Sequence, residues 1–211
     1  MAADLSVNGT ANCYSMETLK NSILTVSVSE CGAELTSIRK DGTEYLWQAD
    51  PAFWKRHSPV LFPIVGSLWE GRYRVGKEQF FLSQHGFARD MYFTLMAASE
   101  DSASYRLESD AQTLQKYPWP FALTITYKLK DNEIEVSWDV ENRGGETMYF
   151  QIGAHPAFNY PQYDPQSRAR GFFSFDRSEG LECIRIVEKG CVDAETKYPL
   201  ETGPERMYPL E

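Results

Sequence analysis

Two histidines of this chain stand where their side chains could move protons. His155 closes the apolar run "FQIGAHPAFNY", and His85 sits in "SQHGFARD". Imidazole is the side chain whose ordinary pKa lies nearest neutrality, which suits it to donate or accept a proton in water. Pro156 fixes φ and lacks a backbone donor, so sheet pairing stops at a rigid corner just past His155. Gly86 lets a loop pack closely beside His85. Phe87 and Phe158 follow the two histidines at short range and could wall a pocket that Arg89 and Asn159 make polar. The residues alone leave a second reading open, in which both are hydrogen-bonded rim histidines with an architectural role. His57, the remaining histidine, reads as structural.

The elements that must position these groups are strands. "FALTITYKLK" places Phe121, Leu123, Ile125, Tyr127 and Leu129 on one face. "NEIEVSWDVEN" does the same with Ile134, Val136, Trp138 and Val140, and "KDNE" between them reads as a hairpin turn. Such alternation marks half-buried antiparallel strands. "SILTVSVSE", "AELTSIRK", "RYRV", "EQFFL", "MYFTLMAA", "SYRLES", "GFFSFD" and "CIRIVE" add further candidates, with "KDGTE" and "NRGGE" as turns. Only "DPAFWKR" and "SDAQTLQKY" suggest a helical turn or two. No repeat or linker divides the chain. Residues 1–15 read as a poorly patterned extension and residues 16–211 as one all-β domain, a sandwich or barrel of antiparallel sheets.

Composition narrows the partners. A formal charge of −9 over 211 residues, with no basic run, argues against nucleic acid. A neutral ligand fits, whereas an anion would need local arginines working against the overall field. Cys13, Cys31, Cys183 and Cys191 form no C-x-x-C pair and read as free thiols in a reducing compartment. The first twenty residues lack the apolar core of a secretory signal, so "NGT" at Asn8 carries no glycosylation reading. The longest apolar stretch, "PVLFPIVGSLW", is too short and proline-broken to span a bilayer. A soluble cytoplasmic protein without a membrane partner is expected. No feature of the sequence signals an oligomeric state.

Three segments in fixed order carry a resemblance. They are "GAELTSIRKDGTEYLWQADPAFWKRHSPVLFPIVGSLWEGRY", then "QHGFARDMYF", then "QIGAHPAFNY". Together they resemble the aldose 1-epimerase (galactose mutarotase-like) family, in its bacterial branch of uncharacterised or sugar-phosphate-directed members, from about Met16 onward. The resemblance implies a galactose mutarotase-like β-supersandwich. It also implies interconversion of the α and β anomers of a hexose or hexose phosphate, with neither cofactor nor metal. His155 matches the family's general acid at the ring oxygen, and His85 its second histidine, which positions the sugar and supports proton transfer. Arg56 and Arg89 resemble substrate-side arginines of the sugar-phosphate branch. Phe158 and Asn159 match pocket-lining positions.

Two departures accompany the match. Ser67, in "IVGSL", stands where many relatives have an arginine, and it brings neither charge nor a guanidinium fork. The family's Asp-containing strand and its general-base glutamate are expected beyond residue 211, so the sandwich is expected to be incomplete at its C-terminal end. Glu182, Glu188, Glu195, Glu201, Glu205 and Glu211 read as surface carboxylates rather than substitutes. The alternative function is therefore a carbohydrate-binding protein that keeps the histidine-lined cleft without turnover.

Overall fold

Short alternating segments pair with their chain neighbours into two four-stranded antiparallel sheets, joined by shorter two-stranded pairs, in the computed structural model. It describes residues 15–160, 164, 166, 172–174, 176, 180–200 and 207–209. The first sheet runs β1 (Met16–Lys20), β2 (Thr25–Ser29), β3 (Glu34–Lys40), β4 (Thr43–Glu44). Its last turn is Asp41-Gly42, with φ of 49° and 81°, the left-handed pair that a two-residue hairpin favours. Then come β5 (Val60–Leu61) and a hairpin of β6 (Arg72–Val75) with β7 (Glu78–Phe81). The second sheet takes β8 (Thr94–Ala98), β9 (Ser102–Glu108), β10 (Phe121–Lys130) and β11 (Glu133–Asn142) in consecutive order. β12 (Gly153–Ala154) returns to pair with β5. Short strands follow: β13 (Phe172–Ser174), β14 (Glu182–Cys183), β15 (Ile186–Glu188), β16 (Cys191–Val192), β17 (Tyr198–Pro199) and β18 (Met207–Pro209).

One apolar core joins the inner faces of the two sheets. Leu19, Val26, Val28 and Leu35 from the first meet Tyr105, Leu123, Ile125 and Tyr127 from the second. Each such buried side chain contributes about 1.5–3 kcal/mol relative to exposure. Two phenols cross the core with their hydroxyls satisfied: Tyr127 donates to the Ala33 carbonyl at 2.7 Å and Tyr105 to that of Val28 at 3.5 Å. Phe62 lies fully buried against Phe87, Tyr117, Phe121 and Phe150, and this aromatic knot underlies the loops described below.

β10 buries the five residues its alternation assigns inward. β11 follows the same period but is less covered: Ile134, Val136 and Val140 are half-buried and Trp138 is 39% exposed. β11 is the outer strand of its sheet, and its inner face borders an open apolar cleft. "SDAQTLQKY" forms a helix, α1 (Ala111–Lys116), because the Asp110 carboxylate accepts from the amides of Gln112 and Thr113. "DPAFWKR" forms turns instead of a helix. There the Asp50 carboxylate accepts from the Ala52 amide and the Asp50 carbonyl from those of Phe53 and Trp54, a single closed turn that does not continue. "CIRIVE" is split between β14 and β15 rather than forming one strand. The expected extension, except for Ser15, lies outside the described residues. No helix among the described residues is long and apolar enough to cross a membrane.

Candidate functional site

His85 is held in an unusual backbone conformation. Its φ is 66° and that of Gly86 is 72°, two consecutive left-handed residues. Only glycine fits the second place, because a Cβ there would lie 2.2 Å from the Phe62 carbonyl oxygen. Four hydrogen bonds offset the strain at His85. The amides of Phe87 and Ala88 donate to Phe62 O, and the His85 amide donates to Gly66 O at 2.8 Å. In return, the Gly66 amide donates to His85 Nδ1 at 3.0 Å.

His155 is delivered by the neighbouring strand pair. β12 pairs with β5 in the register Gly153↔Leu61 and Ala154↔Val60, and the His155 amide then donates to Pro59 O at 3.1 Å. The segment it leans on is pinned from β3, where one Glu34 carboxylate oxygen accepts from the amides of His57 and Ser58, each at 2.8 Å. His57 contributes backbone, its carbonyl accepting from Ala157 N. The two imidazoles meet: the ring centroids of His85 and His155 are 5.9 Å apart, with planes inclined at 67°. Trp54 closes the other side of His155 at 5.1 Å, and its carbonyl is anchored by the Trp47 indole N–H at 2.8 Å. Sequence reasoning missed Trp54. Its signal was available, an aromatic two positions before Arg56, inside a segment already singled out.

The arginines gather on one carboxylate. Arg56 binds Asp90 at 2.7 Å, while Arg89 donates to Gln84 O at 2.7 Å. Arg89 Nε is buried without a hydrogen-bond partner among the described residues, and Asp90 Oδ2 stands 3.8 Å away. Burial holds the His85 pKa below its ordinary value, and the charges of Arg89, His155 and Arg56 act in the same direction. With Nδ1 occupied as an acceptor, neutral His85 carries its proton on Nε2 and presents a donor.

The other sequence candidates fall elsewhere. Phe87, expected to wall a pocket, belongs to the core, because the Phe62 carbonyl captures its amide and turns the ring inward. Phe158 is 66% exposed and borders an apolar cleft with Val136, Trp138 and Pro156. Asn159 gives its side-chain amide to the carbonyls of Glu44 and Leu46, tying the segment after Pro156 to the end of β4. Ser67 lines a separate cleft beside Gln84.

A paired-histidine site on an all-β scaffold invites comparison with known proteins. The family model for aldose 1-epimerase matches residues 15–189. The chain belongs to the aldose 1-epimerase family. Protein LacX of Lactococcus lactis, in its plasmid and chromosomal forms, is 38% identical over 190 residues, covering 86% of this chain. The chain spans 63% of the length of those two relatives. Among solved structures, a galactose mutarotase related enzyme from Lactobacillus acidophilus superposes with a TM-score of 0.84 at 32% identity. That match covers 93% of this chain and 65% of that one. A galactose mutarotase-like protein from Lactobacillus casei has the same TM-score at 31% identity, covering 93% and 67%. The fold of this aldose 1-epimerase family member is thus the all-β galactose mutarotase-like sandwich.

Proposed function

We propose that this family member binds a hexose, free or phosphorylated, against the paired imidazoles of His85 and His155 and takes part in interconverting its anomers. The observation that carries the reading is the 5.9 Å separation of the two imidazoles, supplied by loops distant in sequence. A pyranose ring lying across the pair is within reach of both. In the reaction, His155 gives a proton to the ring oxygen while a solvent water takes the proton of the anomeric hydroxyl, and the C1–O5 bond breaks to leave the open-chain aldehyde. Rotation about C1–C2 and reclosure reverse both transfers, so no atom or electron is gained or lost. His85, a donor through Nε2, holds a sugar hydroxyl and keeps the ring in register. Free Cys31, Cys183 and Cys191 among the described residues suit the cytoplasm as the compartment.

A second reading, carbohydrate binding without turnover, uses the same paired imidazoles to hold the sugar. NMR anomer-exchange spectroscopy separates the two. Under the enzyme reading, exchange of α- and β-galactose or glucose accelerates with added protein. His155→Gln then lowers the acceleration by about 100-fold or more, while sugar affinity changes little. Saturable binding with no acceleration by the unaltered chain would select the binding protein.

A further inference from the structure

His155 is exposed, and an exposed side chain samples several rotamers unless its surroundings select one. The two imidazoles are selected by different means. His85 is turned by the hydrogen bond from Gly66, whereas His155 is gripped through ring contacts. Its imidazole meets the His85 ring at 5.9 Å and the half-buried indole of Trp54 at 5.1 Å, inclined at 45°. A tilted contact of that length is a favourable one for two aromatic rings.

Trp54 can act as a stop only if its own backbone is fixed, and hydrogen bonds fix it on both sides. Its amide donates to Asp50 O at 2.9 Å, which closes the turn that carries the indole. Its carbonyl accepts from Trp47 Nε1 at 2.8 Å. Trp47 also reaches the histidine's own segment, because its amide donates to Ala157 O at 2.8 Å, two residues past His155. Ala157 N in turn donates to His57 O at 3.0 Å. Trp47 therefore bonds the carrier of the indole and the carrier of the imidazole. The circuit runs from Trp47 through Trp54 and His155 to Ala157 and closes on itself. Phe53, edge-on to the Trp47 ring at 6.2 Å, packs against this bracket.

We propose that Trp54 is a positioning residue for the proton donor: locked by Trp47, its indole holds the His155 imidazole in the rotamer that faces His85. It acts through His155 and has no part in the proton transfer itself. The effect on rate rests on the histidine-site reading above, while the effect on ring geometry is measurable without it. Displacing a reacting group by about 1 Å costs on the order of 100-fold in rate, and a change of rotamer moves an imidazole further than that.

Three measurements on the full chain test it: NMR of the histidine rings, NMR titration with glucose and galactose, and anomer exchange. They compare the native protein with Trp54→Leu, Trp54→Phe and Trp47→Phe. In the native protein a nuclear Overhauser contact is expected between the ring protons of His155 and His85. Trp54→Leu abolishes it and lowers the acceleration of exchange about tenfold to 100-fold, while sugar dissociation constants change by less than about threefold. Trp54→Phe keeps the ring contact and most of the rate. Trp47→Phe removes the indole N–H and weakens both by a smaller factor. A folded Trp54→Leu variant that keeps contact and rate, with only its melting temperature lowered, overturns the proposal. So does a loss of sugar affinity that matches the loss of rate, which would make the indole a direct sugar contact. Should Trp54→Leu fail to fold, an unchanged ring contact in Trp47→Phe overturns it instead. A native protein that does not accelerate exchange removes the catalytic reading alone, and the ring contacts of the variants still decide the positioning.

Discussion

The backbone amide of Gly66 donates to Nδ1 of His85 over 3.0 Å. That bond decides which ring nitrogen remains for a ligand. A protonated imidazole has donors at both nitrogens, so protonation of His85 sets two donors against each other at this contact.

The imidazole of His85 is accordingly expected to titrate below 6.5. Burial is the first cause, followed by the charges of Arg89, His155 and Arg56. Two-dimensional NMR of the ring reads this directly, and Arg89→Gln moves the midpoint upward. The sign for stability follows from linkage. As pH falls below 6.5 the unfolded chain takes up this proton before the folded one, so stability declines from there down to the folded-state value. His85→Asn flattens that decline in thermal melts. A midpoint at or above 6.5 in the native protein would contradict the geometry.

Arg56 and Arg89 share one carboxylate, Asp90, and both guanidinium charges act on His85. For a phosphorylated hexose, Arg89→Gln is expected to raise the dissociation constant about tenfold and to change that of the free hexose less than twofold. Calorimetry with glucose and glucose 6-phosphate measures both. Equal effects on the two ligands would remove the support for a phosphorylated substrate.

Gly86→Ala forces a Cβ to within 2.2 Å of the Phe62 carbonyl oxygen at a φ of 72°. The left-handed conformation alone costs a non-glycine residue about 1–2 kcal/mol, and the clash adds to it. The variant is expected to lose at least about 2 kcal/mol in denaturant melts and to weaken sugar binding by displacing His85. A variant with native stability would show that the loop relaxes freely, contrary to its four hydrogen bonds.

Tyr127→Phe removes a buried hydroxyl that bonds the Ala33 carbonyl across the core at 2.7 Å. The expected cost is about 1–3 kcal/mol, because the carbonyl is left without that donor. Sugar binding stays native, since Tyr127 ties the sheets and does not border the histidine pair. Chemical denaturation and the NMR titration read the two effects separately.

Much of the scaffold was legible along the chain. Residues 121–130 alternate so strictly that the buried face could be named in advance, and Asp41-Gly42 announced its hairpin. Asp110 ahead of α1 announced a helix start. The five-residue strand β1 was not legible, because its inward-facing residue Leu19 lies among polar neighbours and only its pairing with β2 makes it a strand. The burial of Phe87 was equally hidden. Its position after a histidine suggested a pocket wall, and a carbonyl from a different segment turned it inward.

By itself the sequence determined the all-β class, the faces of β10 and β11 and the identity of the two histidines worth following. These depend on alternation and on the backbone limits of glycine and proline, which act between near neighbours and can be read locally. Only the tertiary structure decided that the two imidazoles meet, that Trp54 stands against one of them, and that Asn159 is spent on backbone carbonyls. Those outcomes follow from β12 pairing with β5 and from Glu34 pinning the segment beneath His155. Contacts between residues so distant along the chain are chosen by the packing of the whole core, which no local pattern encodes.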